Sequence, residues 1–270
     1  MVMQRLLFWS LIFVLIIGLV YSLLFGSLLF LNPVKLGLRS KKLPNATIYT
    51  SNIYELNPIY DYVNEHMIEA EMLYQLKYNQ KVQIYVATST DEFKRWIPPW
   101  INGNVGGISL YVGNAIFINP EPIRKNNYSE EEFIKHELIH NLIAQNSALL
   151  NNFVFDSHEW MNEGTAMYFG GPNYMNENEF RTMMRNATLI HDDKSSKLFS
   201  NLEDKDYKFK MSIYKYFIAF LITEYGDTRF TNYMNQYINS PNNYKILFYE
   251  VYNKPIKLVI EEFKKAYGSK

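Results

Sequence analysis

Residues 129–144 read Ser129-Glu-Glu-Glu-Phe-Ile-Lys-His136-Glu137-Leu-Ile-His140-Asn-Leu-Ile-Ala144. The five residues from His136 to His140 decide how the rest of the chain is read. Two histidines at i and i+4 lie on one face of an α-helix, where both imidazoles reach a single Zn2+. Glu137, directly after the first histidine, then sits beside the water that the metal activates and can take its proton. The chain has only five histidines, His66, His136, His140, His158 and His191. At that scarcity a chance match to this spacing has a probability on the order of 1% or less. The flanks suit a helix: Ser129 and Glu132 have capping-box spacing, and three consecutive acids favour a helix N-terminus. The spacing predicts a helix from Ser129 to about Ala144.

The 270 residues carry 27 basic and 27 acidic side chains, so no global field draws the chain to nucleic acid. Aromatics make up 16% of the residues, which argues against disorder. Cysteine is absent, which excludes disulfides, thiol nucleophiles and Cys-ligated metal.

From Leu6 to Leu31 there is no charged residue, and most positions are Leu, Ile, Phe or Val. About 20 such residues cross a bilayer as a helix. No clear small-x-small cleavage site follows, so residues 1–32 are expected to be an uncleaved single-pass anchor held in membrane lipid, with a cleaved signal peptide as the alternative. Arg5 lies before the run, and Lys35, Arg39, Lys41 and Lys42 lie after it. Flanking charge alone would place the C-terminal side in the cytoplasm. A short Arg-containing lead resembles an exported signal-anchor, and the expectation is a catalytic domain outside the cytoplasmic membrane.

Residues 33–47, with Pro33, Gly37 and Pro44, read as a linker into one domain over 48–270. Apolar spacing predicts a helix over 53–76 and a strand over 81–88, and Ser89 or Thr90 is placed to cap a short helix to Trp96. Ile108 to Val112 and Ala115 to Ile118 read as strands joined by a Gly113-Asn114 turn. Beyond residue 157 the pattern is helical, near 160–170, 177–190, 208–225, 228–238, 243–252 and 255–267. The expected class is α+β, a strand-containing half (48–150) followed by a helical half (151–270).

A catalytic zinc takes three protein ligands and leaves one position open. His158-Glu159-Trp160-Met161-Asn162-Glu163-Gly164-Thr165-Ala166 offers three candidates for the third: His158, Glu159 and Glu163. HELIH followed by WMNEGTAMYF resembles the gluzincin metallopeptidases, the group that includes thermolysin-like enzymes and zinc aminopeptidases. That resemblance implies a thermolysin-like catalytic domain, one Zn2+ held by His136, His140 and Glu163, Glu137 as general base, and a peptide or protein substrate. It also implies an edge strand binding the substrate backbone, best matched by Gly106, Gly107 and Ile108. Glu159 and Asn162 are candidates to orient the histidines. Small Gly164 and Ala166 would let their helix pack closely on the metal helix.

The aminopeptidase motif G-x-M-E-N is absent, which favours an endopeptidase. Registering Phe220-Leu221 on the family's helix puts Met211 where an oxyanion-binding Tyr is expected, and Tyr214, one turn on, is the substitute. His66 and His191 read as surface residues. The competing class is a membrane-tethered binding protein that keeps the fold without catalysis. Intact His136, Glu137, His140 and Glu163 oppose it.

Overall fold

Val82-Gln83-Ile84-Tyr85-Val86 alternates two chemistries across one strand, and both faces of that strand are buried. In the computed structural model, which describes residues 2–25, 35, 37–52, 56–110, 114–148, 151, 158–187 and 207–268, it is the central strand β3 (Val82–Val86) of a five-stranded sheet. The other strands are β1 (Arg39–Lys42), β2 (Ala46–Thr50), β4 (Gly107–Leu110) and β5 (Ala115–Ile118), in the order β1-β2-β3-β5-β4. β2, β3 and β5 run parallel, while β1 and β4 pair antiparallel at the two edges. Register places Ile84 between Ile48 and Ile116, and Tyr85 between Tyr49 and Phe117.

The aliphatic face packs against α2 (Leu56–Tyr74) and α5 (Glu130–Asn146) through Val63, Met67, Ile134 and Leu138. On the aromatic face the Tyr85 ring stacks on Tyr49 and Phe117, with centroids 4.9 and 5.1 Å apart. That face is closed by Phe93 and Trp96 of α3 (Thr90–Trp96), whose N-cap Ser89 accepts from the Glu92 N–H at 3.2 Å. A short helix, α4 (Pro120–Lys125), leads from β5 towards α5.

The remaining helices are α6 (Glu159–Phe169), α7 (Glu177–Asn186), α8 (Tyr207–Tyr225), α9 (Asp227–Asn239), α10 (Tyr244–Tyr252) and α11 (Ile256–Gly268). They bury Trp160, Phe180, Phe217, Tyr233 and Phe263 in a second core. α5 belongs to both cores: Ile134 and Leu138 face the sheet, and Ile139, Leu142 and Ile143 face the helices. The histidine face of α5 is therefore held at the junction, gripped from two sides.

α6 lies tightly on α8. A Cβ at Gly164 would stand 2.9 Å from Ile218 Cγ1 and 3.0 Å from the Tyr214 carbonyl oxygen. The small residue at 164 serves this crossing, and not the approach to the metal helix expected above.

Two expectations are corrected. The class is not α+β behind a transmembrane helix. The described residues form a mostly helical domain in which a small mixed sheet occupies 39–118 and helices intervene between its strands. Among the described residues, no helix is long and apolar enough to cross a membrane. The N-terminal helix α1 covers Val2–Phe25, and residues 26–34 lie outside the described residues. The anchor over 1–32, its lipid partner and the extracytoplasmic placement fall with the crossing. The stretch read as linker contains β1, an edge strand of Arg39-Ser40-Lys41-Lys42. Residues 111–113 of the expected hairpin lie outside the described residues. β4 ends at Leu110, which pairs with Ala115 of β5, and Asn114, just before β5, has a left-handed φ of 49°.

Candidate metal centre

The capping box forms at the start of α5, with the Glu132 carboxylate accepting from the Ser129 N–H at 3.3 Å. Two turns on, His136 and His140 turn their rings towards one another, with Nε2 atoms 3.0 Å apart. Glu163 of α6 meets both: Oε2 lies 3.4 Å from His136 Nε2, and Oε1 lies 3.6 Å from His140 Nε2. The donor atoms of His136, His140 and Glu163 all lie within 4.8 Å of one another. Ligands at 2.0–2.1 Å on a tetrahedral ion are separated by about 3.3 Å, so the cluster fits one such ion with little movement.

The outer ring atoms support this fit. His140 Nδ1 donates to Asn162 Oδ1 at 2.9 Å, which leaves the Nε2 lone pair facing the cluster. Both residues are buried, so water does not replace that bond. Nδ1 of His136 is buried without a well-formed hydrogen bond among the described residues, although the ring gains some support from the Ala166 carbonyl.

Burial and charge set the protonation states. Burial pushes His140 down to about 4, so its ring is neutral. Burial also pulls His136 down, but the bond to and the charge of Glu163 outweigh it and the net direction is up. Glu163 is raised by burial and lowered more strongly by both histidines, and it stays ionised. Glu137 is pushed up to about 7, mainly by burial, with the charge of Glu163 adding to it and His136 opposing. A carboxylate near neutrality suits a general base.

β4 lies directly over Glu137. A Cβ at Gly107 would stand 2.9 Å from Glu137 Cγ and 3.0 Å from its Oε1. The Ser109 backbone N–H bonds the same carboxylate. Gly106, Gly107 and Ile108 all line a cleft of about 520 Å3 whose floor holds His136, Glu137, His140 and Glu163. Among the described residues, β4 has no strand on its outer side.

The structure separates the candidates for a third donor. His158 points away, its Nδ1 2.6 Å from the Tyr237 hydroxyl and its ring 4.5 Å from that of Tyr244. Glu159 lines the cleft but is held by Lys210 Nζ at 2.8 Å and by the Tyr214 hydroxyl at 3.3 Å. Asn162 is the residue that reaches a histidine. Tyr214 is buried in the helical core, with its hydroxyl spent on Glu159 rather than facing the cleft. The tyrosines that do line the cleft are Tyr128, Tyr174 and Tyr207. The sequence signal for Tyr207 was its place four residues before Met211, on the same helix face. His66, read as a surface residue, is buried between Glu69 at 3.0 Å and Glu131 at 2.7 Å and ties α2 to α5. His191 lies outside the described residues.

No protein-family model matches the chain, and no curated protein matches it. Among solved structures, the native yeast LTA4 hydrolase aligns with a TM-score of 0.48 at 17% identity, over 82% of this chain and 37% of that one. The chain thus spans little more than a third of that enzyme's length.

Proposed function

We propose that this chain is a zinc-dependent hydrolase of peptide bonds that cuts within chains rather than from the amino terminus, with a catalytic domain that includes the sheet from residue 39 onward. One observation carries the reading: a three-donor cluster of His136, His140 and Glu163 sits beside the Glu137 carboxylate, under an open strand edge. A Zn2+ held by those three residues supplies Lewis acidity, activating water and polarising a carbonyl. Every other part of the chemistry falls to the protein.

The free edge of β4 accepts an extended peptide by backbone hydrogen bonding, and Gly106 and Gly107 allow close approach. Glu137 takes a proton from water as the water oxygen bonds to the carbonyl carbon. It then passes that proton to the amine nitrogen as the C–N bond breaks. Asn162 keeps the His140 ring in its ligating tautomer. A free amino terminus would need an unpaired carboxylate. Glu159, the remaining acid of the cleft floor, is committed to Lys210 and Tyr214, which favours internal cleavage.

The test is metal content together with digestion of a broad peptide library by the wild type and by Glu137→Gln. The expected result is one zinc per chain in both, with cleavage by the variant reduced roughly 1,000-fold. A protein that binds no zinc, or a variant that cleaves as fast as wild type, overturns the reading.

A further inference from the structure

One wall of the cleft is made of rings. Tyr128 precedes the N-cap of α5, Tyr174 lies between α6 and α7, and Tyr207 opens α8. Their rings form a continuous edge-to-face row, with centroids 5.5 Å apart from Tyr128 to Tyr174 and 5.7 Å from Tyr174 to Tyr207. Phe133 extends the row from α5, 6.1 Å from Tyr128. Three separate parts of the chain thus converge on one surface, and all four rings line the same cleft as Glu137 and Glu163.

The row is fixed in place. The Tyr128 N–H donates to the Ile123 carbonyl at 3.0 Å, and the Tyr174 N–H donates to that of Pro172 at 3.0 Å. The side chains of Tyr174 and Tyr207 are hydrogen-bonded to each other, and the charges of Glu163 and Glu137 reach both phenols. The wall therefore stands next to the reacting centre. None of the three tyrosines is fully buried, and Tyr207 remains 47% exposed. Ring surface held open towards a cleft is surface that a ligand can cover. Aromatic pairs at such separations gain from edge-to-face geometry beyond simple burial.

We propose that the Tyr128–Tyr174–Tyr207 wall is a specificity subsite, and that the substrates are peptides with an aromatic side chain next to the cleaved bond. This rests on the peptidase reading above. A peptide paired on the free edge of β4 turns alternate side chains to either face of the sheet, and those on the α5 face enter the cleft that the rings line. A bulky ring fills the space in front of Tyr174, whereas an alanine methyl leaves it wet. Burying one aromatic side chain corresponds to about a 10- to 100-fold preference.

The experiment uses the full chain loaded with one equivalent of zinc and blocked hexapeptides of Ala and Gly that carry Phe, Tyr or Ala at a single position. The expected wild-type preference for Phe and Tyr over Ala is 10- to 100-fold in kcat/KM. Tyr174→Ala brings the ratio to within about threefold, and Tyr174→Phe keeps it, because the ring and not the hydroxyl makes the contact. Calorimetry of the same peptides on zinc-loaded Glu137→Gln reads binding without turnover. Peptides cleaved with no aromatic preference, or a preference that survives both Tyr174→Ala and Tyr207→Ala, overturn the subsite and leave the peptidase reading standing. Aromatic peptides that bind Glu137→Gln through Tyr174 but are never cleaved by the wild type uphold the subsite and overturn the peptidase reading.

Discussion

Replacing Asn162 by Leu keeps a side chain branched at Cγ, enlarges it, and removes both the amide oxygen and the amide nitrogen. That oxygen accepts a hydrogen bond from His140 Nδ1, at 2.9 Å, between two buried side chains. Without it the imidazole proton has no partner at Nδ1 and moves more readily to Nε2, the atom that faces His136 and Glu163. The cluster then loses a lone pair in part of the population and must restore it before a metal ion binds. Losing such an outer hydrogen bond costs about 10- to 100-fold in metal affinity, which is about 1.4 to 2.8 kcal/mol. The assay is a competition titration of zinc against a chromogenic chelator at neutral pH. Asn162→Asp, which keeps an acceptor, is expected to stay within about threefold of wild type. An Asn162→Leu protein that is folded and binds zinc as tightly as wild type would refute the reasoning, since the hydrogen bond would then contribute nothing to the site.

Other consequences follow from the same geometry. Gly107→Ala places a methyl 2.9 Å from Glu137 Cγ, so the base must shift; peptide cleavage is expected to fall about 100-fold while zinc affinity changes less than threefold. Gly164→Ala drives a methyl against Ile218 and the Tyr214 carbonyl where α6 crosses α8. Denaturant unfolding is expected to show a loss of about 1 to 3 kcal/mol, and an unchanged midpoint would remove the argument for that close crossing. Burial holds His158 near 4, below its unfolded value of about 6.5, with the charge of Lys245 adding to the effect. The unfolded chain therefore takes up a proton first. Stability is full above about pH 6.5 and declines as pH falls towards 4, by about 3 kcal/mol from this residue. His158→Gln should flatten that part of the stability curve, and parallel curves for the two proteins would contradict the assignment.

The metal helix was legible because its signals are local: a cap at Ser129, a 3.6-residue period and two histidines one turn apart. The helices from α6 to α11 were legible from caps or periodicity, signals that need no knowledge of a partner. β1 was not, because Arg39-Ser40-Lys41-Lys42 is polar and largely exposed, a composition that suits an edge strand and a linker equally. Periodicity identified the face of α8 but not which turn of it meets the cleft. That depends on where α8 crosses α6, and the crossing at Gly164 puts the Tyr214 backbone inside the contact. Tyr207, two turns earlier, lies beyond the crossing and reaches the cleft. Likewise Glu159 and Asn162 were both candidates to orient a histidine. Only the buried Lys210 across the interface draws Glu159 away from the histidines and leaves Asn162 to hold His140. The apolar run at the N-terminus was the clearest signal in the chain that the structure did not sustain as a membrane crossing.

The central claim is that His136, His140 and Glu163 hold one metal ion. Zinc-edge X-ray absorption on the full chain with one equivalent of zinc tests it most directly. The account predicts two imidazole nitrogens at about 2.0 to 2.1 Å and carboxylate oxygen at about 2.0 to 2.2 Å, with the oxygen shell altered in Glu163→Ala. A shell of oxygens alone, or a spectrum unchanged in Glu163→Ala and in His140→Ala, would contradict it.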